Sequence, residues 1–110
     1  MPSKFELMKT KGQQFLFCLK AANGEVILTS EQYVTKTGAK NGIQSVCKNA
    51  FLDIRFERKT AKNGKSFFVL KAANHQVIGQ SEMYNSKAAM ESGIASVKKS
   101  VVGAKIDEKI

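Results

Sequence analysis

Polar residues that could bind a ligand occur twice in this chain, 51 positions apart. A lysine recurs as Lys20 and Lys71, and a tyrosine recurs as Tyr33 and Tyr84. Together they could hold an anionic or planar ligand, because lysine carries a positive charge and tyrosine presents an aromatic face with a hydroxyl. Other polar residues repeated at this spacing include Asn23/Asn74, Ser30/Ser81, Glu31/Glu82, Lys36/Lys87 and Ser45/Ser96. The sequence therefore offers two equivalent candidate binding sites, each with two lysines and a tyrosine.

The same repeated residues also have a structural interpretation, and the sequence leaves both open. The Ser-Glu-x-Tyr segments at 30–33 and 81–84 would shape the turn from a strand into a helix, with the tyrosine ring packed and its hydroxyl bonded. The repeated asparagines would form hairpin turns. The residues assigned to this structural motif are Asn23, Gly24, Ser30, Glu31, Gly42, Asn74, Ser81, Glu82 and Gly93.

Residues for catalysis are sparse. The only histidine, His75, is predicted at a hairpin tip, where the other repeat has Gly24, and no neighbouring group would position it as a general base. The acidic residues follow no spacing typical of a metal site, and the glycines form no phosphate-binding loop. We expect a protein that is not an enzyme and that has no catalytic residue, metal or cofactor.

The two cysteines are interpreted as small hydrophobic residues. Cys18 aligns with Val69 in the other repeat, and Cys47 aligns with Lys98. A disulfide or metal pair that belonged to the repeat would be present in both copies.

The repeat determines the predicted domain organisation. Residues 4–50 align with 55–101 without a gap, and 20 of the 47 aligned pairs are identical. A unit of about 50 residues buries too little surface to be stable alone, so the two units should share a core. We predict one compact domain over residues 1–110, with repeat 1 at about 4–54 and repeat 2 at about 55–110.

Three strands and a helix are predicted in each repeat. In the first, alternating apolar residues predict strands at 4–11, 15–22 and 26–29. Asn23-Gly24 is typical of a type I′ hairpin turn, whereas its counterpart Asn74-His75 is poorly suited to positive φ.

The spacing of the apolar residues then changes from every second position to every third or fourth. This predicts helices at 36–49 and 87–100, with Thr35 and Ser86 as N-caps. Each helix has one apolar stripe: Ala39, Ile43, Val46 and Ala50 in the first, and Met90, Ile94, Val97 and Val101 in the second. Gly42 and Gly93 occupy the same mid-helix position, which suggests a close approach to the sheet.

No flexible linker separates the repeats, so the closing strand of repeat 1 should continue directly into the first strand of repeat 2. Residues 104–110 could supply the matching closing strand of repeat 2. The prediction is therefore an α+β fold: two β3-α-β repeats in one antiparallel sheet, with two helices on one face.

The repeated motif resembles that of the YegP-like family of small bacterial proteins. It comprises Phe-x-Leu-Lys-Ala-x-Asn-Gly at 17–24, Ser-Glu-x-Tyr at 30–33, Lys36, and Gly-Ile-x-Ser-Val-x-Lys-Asn-Ala at 42–50. The resemblance implies closing strands exchanged between the repeats, a fused and therefore monomeric form, and no assigned activity or cofactor. The second repeat departs from the motif at His75 and at Ser100-Val101.

Charge and the second sheet face suggest the class of partner. The chain has 18 basic and 9 acidic residues, a net charge of +9, and most of the excess lies in the second half. Apolar residues on the predicted outer face, Phe67 beside Lys71 among them, must be covered by strand exchange or by the other repeat, or else used for binding. Single-stranded bases stack on such surfaces.

The sequence thus predicts a non-enzymatic binding or interaction module whose partner is unknown. The alternative is a binder of RNA or single-stranded DNA through the basic second repeat and the sheet face. No apolar run is long enough to span a membrane and no apolar signal segment is visible, so we expect a cytoplasmic protein with no membrane partner. Its candidate binding residues are Lys20, Tyr33, Lys36, Phe67, Lys71, Tyr84 and Lys87.

Overall fold

The computed structural model describes residues 3–110 as one seven-stranded sheet with two helices on one face. The strands are β1 (Lys4–Lys9), β2 (Phe15–Lys20), β3 (Val26–Ser30), β4 (Phe56–Thr60), β5 (Ser66–Lys71), β6 (Val77–Gln80) and β7 (Lys105–Glu108), and the helices are α1 (Lys36–Asn49) and α2 (Lys87–Ser100). Their order across the sheet is β4-β5-β6-β3-β2-β1-β7. The predicted α+β class, the tandem repeats and the shared sheet are confirmed.

The two repeats share one core because each helix packs over both. α1 lies on β2 of its own repeat and on β5 and β6 of the other, while α2 lies on β5 and also on β2 and β3. The predicted apolar stripes of both helices are buried, in a single cluster with the inward phenylalanines and leucines of the strands. Burial of apolar surface is the main stabilising term in folding, so the repeats stabilise each other.

Both helices begin and end at the predicted residues. Thr35 Oγ1 accepts a hydrogen bond from the Gly38 N–H at 2.9 Å, and Ser86 Oγ accepts one from the Ala89 N–H at 3.0 Å. Each bond satisfies one N–H that the first helical turn leaves unpaired. In the described part of the chain, neither helix is long and apolar enough to cross a membrane.

The predicted type I′ turn at Asn23-Gly24 is wrong. Only Gly24 has positive φ, +86°, and the Ala21 carbonyl accepts from the Gly24 N–H at 2.9 Å. The loop is therefore a three-residue hairpin with a left-handed third position. The second repeat keeps this geometry with His75 at φ +71°, which is strained for a residue with a Cβ.

The sheet differs from the prediction in one strand pair. β7 lies parallel to β1, with Phe5 opposite Ile106 and Leu7 opposite Glu108, whereas the other pairs are antiparallel. β7 belongs to repeat 2 and β1 to repeat 1, so this closing strand is exchanged as predicted.

Repeat 1 supplies no matching closing strand. The residues that align with β7 are 54–57; they complete a short 3₁₀ helix (Asp53–Arg55) and begin β4. In the fused chain, one segment cannot be both the closing strand of repeat 1 and the first strand of repeat 2.

Candidate interaction site

The repeated lysines Lys20 and Lys71 are occupied by ion pairs on the outer face of the sheet. Lys20 Nζ lies 3.1 Å from Glu6 Oε1, and Lys71 Nζ lies 2.8 Å from Glu57 Oε1. Hydrogen bonding to Lys20 lowers the pKa of the Glu6 carboxyl, and bonding to Lys71 does the same for Glu57. Each pair joins neighbouring strands, so the structural role alone accounts for this repeated lysine.

Ser30 and Ser81 complete the sheet ladder at the end of the third strand of each repeat. Ser30 Oγ accepts from the Phe17 N–H at 2.9 Å and donates to the Glu31 carbonyl at 2.7 Å. Ser81 Oγ makes the same two bonds, with the Phe68 N–H at 3.0 Å and the Glu82 carbonyl at 2.8 Å.

The repeated acids and asparagines lie in turns. Glu31 and Glu82 are exposed and contribute their backbone carbonyls to the serine bonds. The side chains of Asn23 and Asn74 each accept a hydrogen bond from the N–H two residues on, at 3.0 and 3.1 Å. These contacts agree with the structural interpretation of both residue types.

The two tyrosines pack against the sheet and require the two mid-helix glycines. The Tyr33 ring stacks on Phe17 at a centroid distance of 6.2 Å, and Tyr84 stacks on Phe68 at 6.3 Å. A Cβ on Gly93 would lie 2.6 Å from the Tyr84 Cζ, which is too close for any real contact. The close approach predicted at this glycine is therefore to the tyrosine ring.

Gly42 meets two rings, because a Cβ there would lie 2.7 Å from the Tyr33 Cζ and 2.9 Å from Phe17 Cε2. Burial raises the pKa of both tyrosine hydroxyls, which therefore stay protonated at neutral pH.

Lys36 and Lys87 are the repeated pair whose surroundings differ. Lys36 Nζ binds Glu108 Oε1 of β7 at 2.5 Å, and Lys40 Nζ binds the other carboxylate oxygen at 2.9 Å. At the equivalent place no strand is present, and Lys87 makes no ion pair with any residue from 3 to 110. The counterpart of Lys40 is Glu91, which is bound by Arg58.

β4 forms an open edge of the sheet. Its counterpart β1 is covered by β7, and the Leu7 carbonyl accepts from the Lys109 N–H at 2.7 Å. The N–H of Phe68, opposite Arg58, bonds to Ser81 on the side away from β4. In an antiparallel pair the bonded positions alternate, so the backbone N–H and C=O of Arg58 point outward.

An ion network lies beside this edge, on the helix side. Arg58 binds Glu91 through two hydrogen bonds, at 2.6 and 3.0 Å, and also binds Asp53 at 3.0 Å. Lys98 Nζ reaches the same Asp53 oxygen at 3.0 Å and lies 5.6 Å from the centre of the Phe56 ring. Hydrogen bonding to Arg58 lowers the pKa of the Asp53 and Glu91 carboxyls. Charged side chains of this kind protect a sheet edge from non-specific pairing.

Apolar side chains lie exposed immediately before β4. They are Phe51, Leu52 and Ile54, and Ile54 is 83% exposed. A shallow groove of about 250 Å³ runs along β4 beneath the start of α2, where Lys87, Met90 and Glu91 line it. β4 thus has one open side, with exposed apolar residues before its first residue and a lysine without an ion pair in the groove along its second half.

The outer sheet face carries Phe67 half-buried, opposite Lys59 on β4. Cys18 and Val69 are buried on this face although both helices pack on the other, so neighbouring side chains cover them. Neither strand exchange nor the other repeat covers this face, contrary to one expectation from the sequence.

The described residues form no cluster of metal-ligating side chains. No three His, Cys, Asp or Glu side chains within residues 3–110 are close enough to hold a metal ion. Cys18 and Cys47 are both free thiols, and burial raises the pKa of each, so both are protonated at neutral pH. His75 lies exposed at its hairpin tip.

Sequence reasoning missed the open edge, although one signal for it was present. Leu7 of β1, which β7 flanks, is fully buried in the core, and the aligned residue is Arg58. A charged residue at a position that is apolar in the other repeat indicates that no strand covers it.

Comparison with known proteins finds close relatives of no assigned activity. A family model described as DUF1508, a domain of unknown function, matches residues 11–57 and again 61–108. The UPF0339 protein YegP of Escherichia coli is 57% identical over 98 residues, which cover 89% of each chain. A UPF0339 protein of Pseudomonas aeruginosa is 52% identical over 109 residues, covering 99% of each chain.

Solved structures show the same fold. The solution structure of E. coli yegP, titled a protein of unknown function, has a TM-score of 0.93 at 51% identity and covers 99% of this chain and 94% of its own. A UPF0339 protein of Shewanella oneidensis has a TM-score of 0.91 at 51% identity, covering 98% and 92%.

Proposed function

The chain belongs to the DUF1508 family of YegP-like UPF0339 proteins, and we propose that it is a non-enzymatic interaction module that binds an extended segment of another protein at the open edge of β4. The segment would take the place that β7 has on β1. One observation carries the proposal: two equivalent edge strands in one molecule, of which one is paired and the other is open.

The geometry of the edge supports strand addition. The outward N–H and C=O of Arg58 are unpaired donors and acceptors, and an added strand would satisfy them as β7 satisfies those of Leu7. The exposed Phe51, Leu52 and Ile54 would lose water on contact with a partner, at roughly 25 cal/mol per Å² of apolar surface removed. Because β7 already covers β1 within the same chain, we propose that the protein acts as a monomer. We also propose that it acts in the cytoplasm.

The natural probe for this edge is the chain's own closing strand. A synthetic peptide with the sequence of residues 103–110 is titrated into the ¹⁵N-labelled full chain, and amide shifts are mapped. We expect shifts in β4 and in the first turn of α2. Shifts confined to β1 would mean that the peptide only displaces β7, and no shifts up to millimolar peptide would overturn the proposal.

A proline at an outward-facing position supplies the matched variants. Arg58→Pro removes the outward N–H that an added strand needs, and proline is tolerated at such edge positions. Arg58→Leu also removes the guanidinium but keeps the N–H, and it copies Leu7. We expect Arg58→Leu to bind the peptide and Arg58→Pro not to. If Arg58→Pro fails to fold, the amide shifts that the peptide causes in the wild-type chain test the proposal on their own.

Nucleic-acid binding is the second candidate, favoured by the helix-free outer face with Phe67 beside Lys59. Lys71 and Lys59 both contact Glu57, at 2.8 and 3.6 Å, which reduces the charge they offer to phosphate. Titration with short mixed-sequence RNA and single-stranded DNA at about 50 and 200 mM salt tests it, because phosphate binding weakens steeply with salt. Salt-sensitive shifts at Phe67 would support it, and unchanged spectra at low salt would exclude it.

A further inference from the structure

The closing strand β7 is held by carboxylates on both faces of the sheet. On the helix face, Glu108 binds Lys36 and Lys40. On the outer face, Asp107 lies 3.3 Å from Lys4 Nζ of β1 and 3.2 Å from Lys109 Nζ. Adjacent residues of a strand point to opposite faces, so two consecutive acids can engage both sides at once.

Beside β4, the helix-face position carries a basic group without a carboxylate partner. The counterpart of Lys36 is Lys87, which makes no ion pair within the described chain. On the other side the match is not kept: the sequence counterpart of Lys4 is Arg55, which lies in the 3₁₀ helix before β4, and its side chain donates to Asn49 Oδ1 at the end of α1 at 3.0 Å. Glu91, in place of Lys40, is neutralised by Arg58, whose side chain remains one-third exposed.

The charge along this edge is complementary to an acidic segment. The three carboxylates Asp53, Glu57 and Glu91 are bound by four basic side chains, Arg58, Lys59, Lys71 and Lys98, while Lys87 makes no ion pair within the described chain and Lys62 and Lys65 add charge in the β4–β5 loop. Such an excess favours negatively charged partners and rejects basic ones.

We propose that the segment bound at β4 runs parallel to it and carries two consecutive acidic residues, as β7 does, the second directed to Lys87 on the helix face. This proposal rests on the proposed function and names its ligand. The register follows from β7: the first acid lies opposite Glu57 and the second opposite Arg58, as Asp107 lies opposite Glu6 and Glu108 opposite Leu7.

The test compares peptides that differ only at the acidic pair. The octapeptide GAKIDEKI copies residues 103–110, and GAKINQKI replaces both acids by their amides. Binding to the full chain is followed by the shifts of β4 amides. We expect the amide peptide to bind at least about tenfold more weakly, since each charge-assisted hydrogen bond lost costs roughly that factor or more.

Charge reversal identifies the lysine. Lys87→Glu should weaken binding of GAKIDEKI by about tenfold or more and bind GAKIDKKI better than the wild type does. Lys11→Glu, which makes the same charge change on the β1–β2 hairpin, should leave binding unchanged. Equal effects of both variants would mean that the net charge of the protein controls binding, and would overturn the assignment of Lys87.

The outcomes separate this inference from the proposed function. If both peptides shift β4 with equal affinity, strand addition stands and the acidic requirement is wrong. If neither peptide shifts β4, the proposed function fails. If β4 shifts depend on protein concentration without peptide, a second copy of the chain is the occupant, and the acidic partner is overturned.

Discussion

Replacing Gly93 by alanine should destabilise the protein, although alanine is the better helix former. In the middle of a helix, alanine is favoured over glycine by about 1 kcal/mol. Here the new Cβ would lie 2.6 Å from the Tyr84 Cζ and 3.2 Å from Cε2. Forcing an extra methyl into such a contact costs typically 1–3 kcal/mol. We therefore expect a net loss of about 1 kcal/mol in the free energy of unfolding.

The sign should reverse once the ring is shortened. Tyr84→Leu keeps an apolar side chain but removes the Cζ and the hydroxyl, so the new Cβ has room. In this background Gly93→Ala should stabilise the protein by about 1 kcal/mol, the helix-propensity term alone. The coupling between the two positions is then roughly 2 kcal/mol, within the range of residues in direct contact.

The assay is urea-induced unfolding followed by circular dichroism, with the free energy of unfolding extrapolated to water. Ala95→Gly is the matched control, because Ala95 is exposed on α2 two residues away and reports the propensity difference without a ring. Stabilisation of the wild type by Gly93→Ala, equal in size to the Ala95→Gly loss, would refute the close-packing argument. An unchanged loss in the Tyr84→Leu background would assign the clash to another neighbour.

Three further predictions concern a turn, a buried hydroxyl and β7. His75→Gly should stabilise the protein by about 1 kcal/mol, because glycine adopts positive φ without strain, and thermal unfolding measures it. Ser81→Ala should cost about 1–3 kcal/mol in urea unfolding, because it leaves the Phe68 N–H without its acceptor. Acidification should release β7 before the core unfolds. Hydrogen bonding to Lys36 lowers the pKa of Glu108 in the folded protein. The stabilisation that Glu108 gives is therefore fully present above its unfolded-state pKa and is lost as the pH falls through its folded-state pKa.

Each of these predictions has a control. For His75→Gly the control is Gly24→His, which transfers the strained residue to the first repeat and should destabilise the protein. For Ser81→Ala the control is Ser92→Ala on the exposed face of α2, which should leave stability nearly unchanged. For β7, the measurement is the exchange protection of the Lys109 amide from about pH 6 to about pH 3. Lys36→Gln should weaken the pH dependence of that protection. Loss of protection only together with global unfolding would contradict the prediction.

The sequence was sufficient for elements whose local signals agree. Thr35 and Ser86 cap their helices as predicted, and every residue of the two predicted stripes is buried. The duplication indicated a shared sheet because two small units cannot each form a stable core.

Long-range geometry was beyond sequence reasoning. Which segment covers which edge depends on pairing between residues about 100 positions apart, as in β7 on β1, and alternation of apolar residues does not encode the direction of pairing. The binding candidates Lys20, Lys36 and Lys71 have carboxylate partners that no local pattern reveals. Of the repeated lysines, only Lys87 differs from its counterpart in this respect, and the difference became visible only when the two sheet edges were compared.

Isotope-filtered NOE spectroscopy between the labelled chain and the unlabelled peptide GAKIDEKI would locate an added strand directly. Strand addition predicts backbone contacts from the peptide to Phe56 and Arg58, in the parallel direction that Ile106 and Glu108 show on β1. Contacts to Phe5 and Leu7 would mean displacement of β7, and contacts to Leu16 and Phe67 would place the ligand on the outer sheet face. Either result would contradict binding at the open edge of β4.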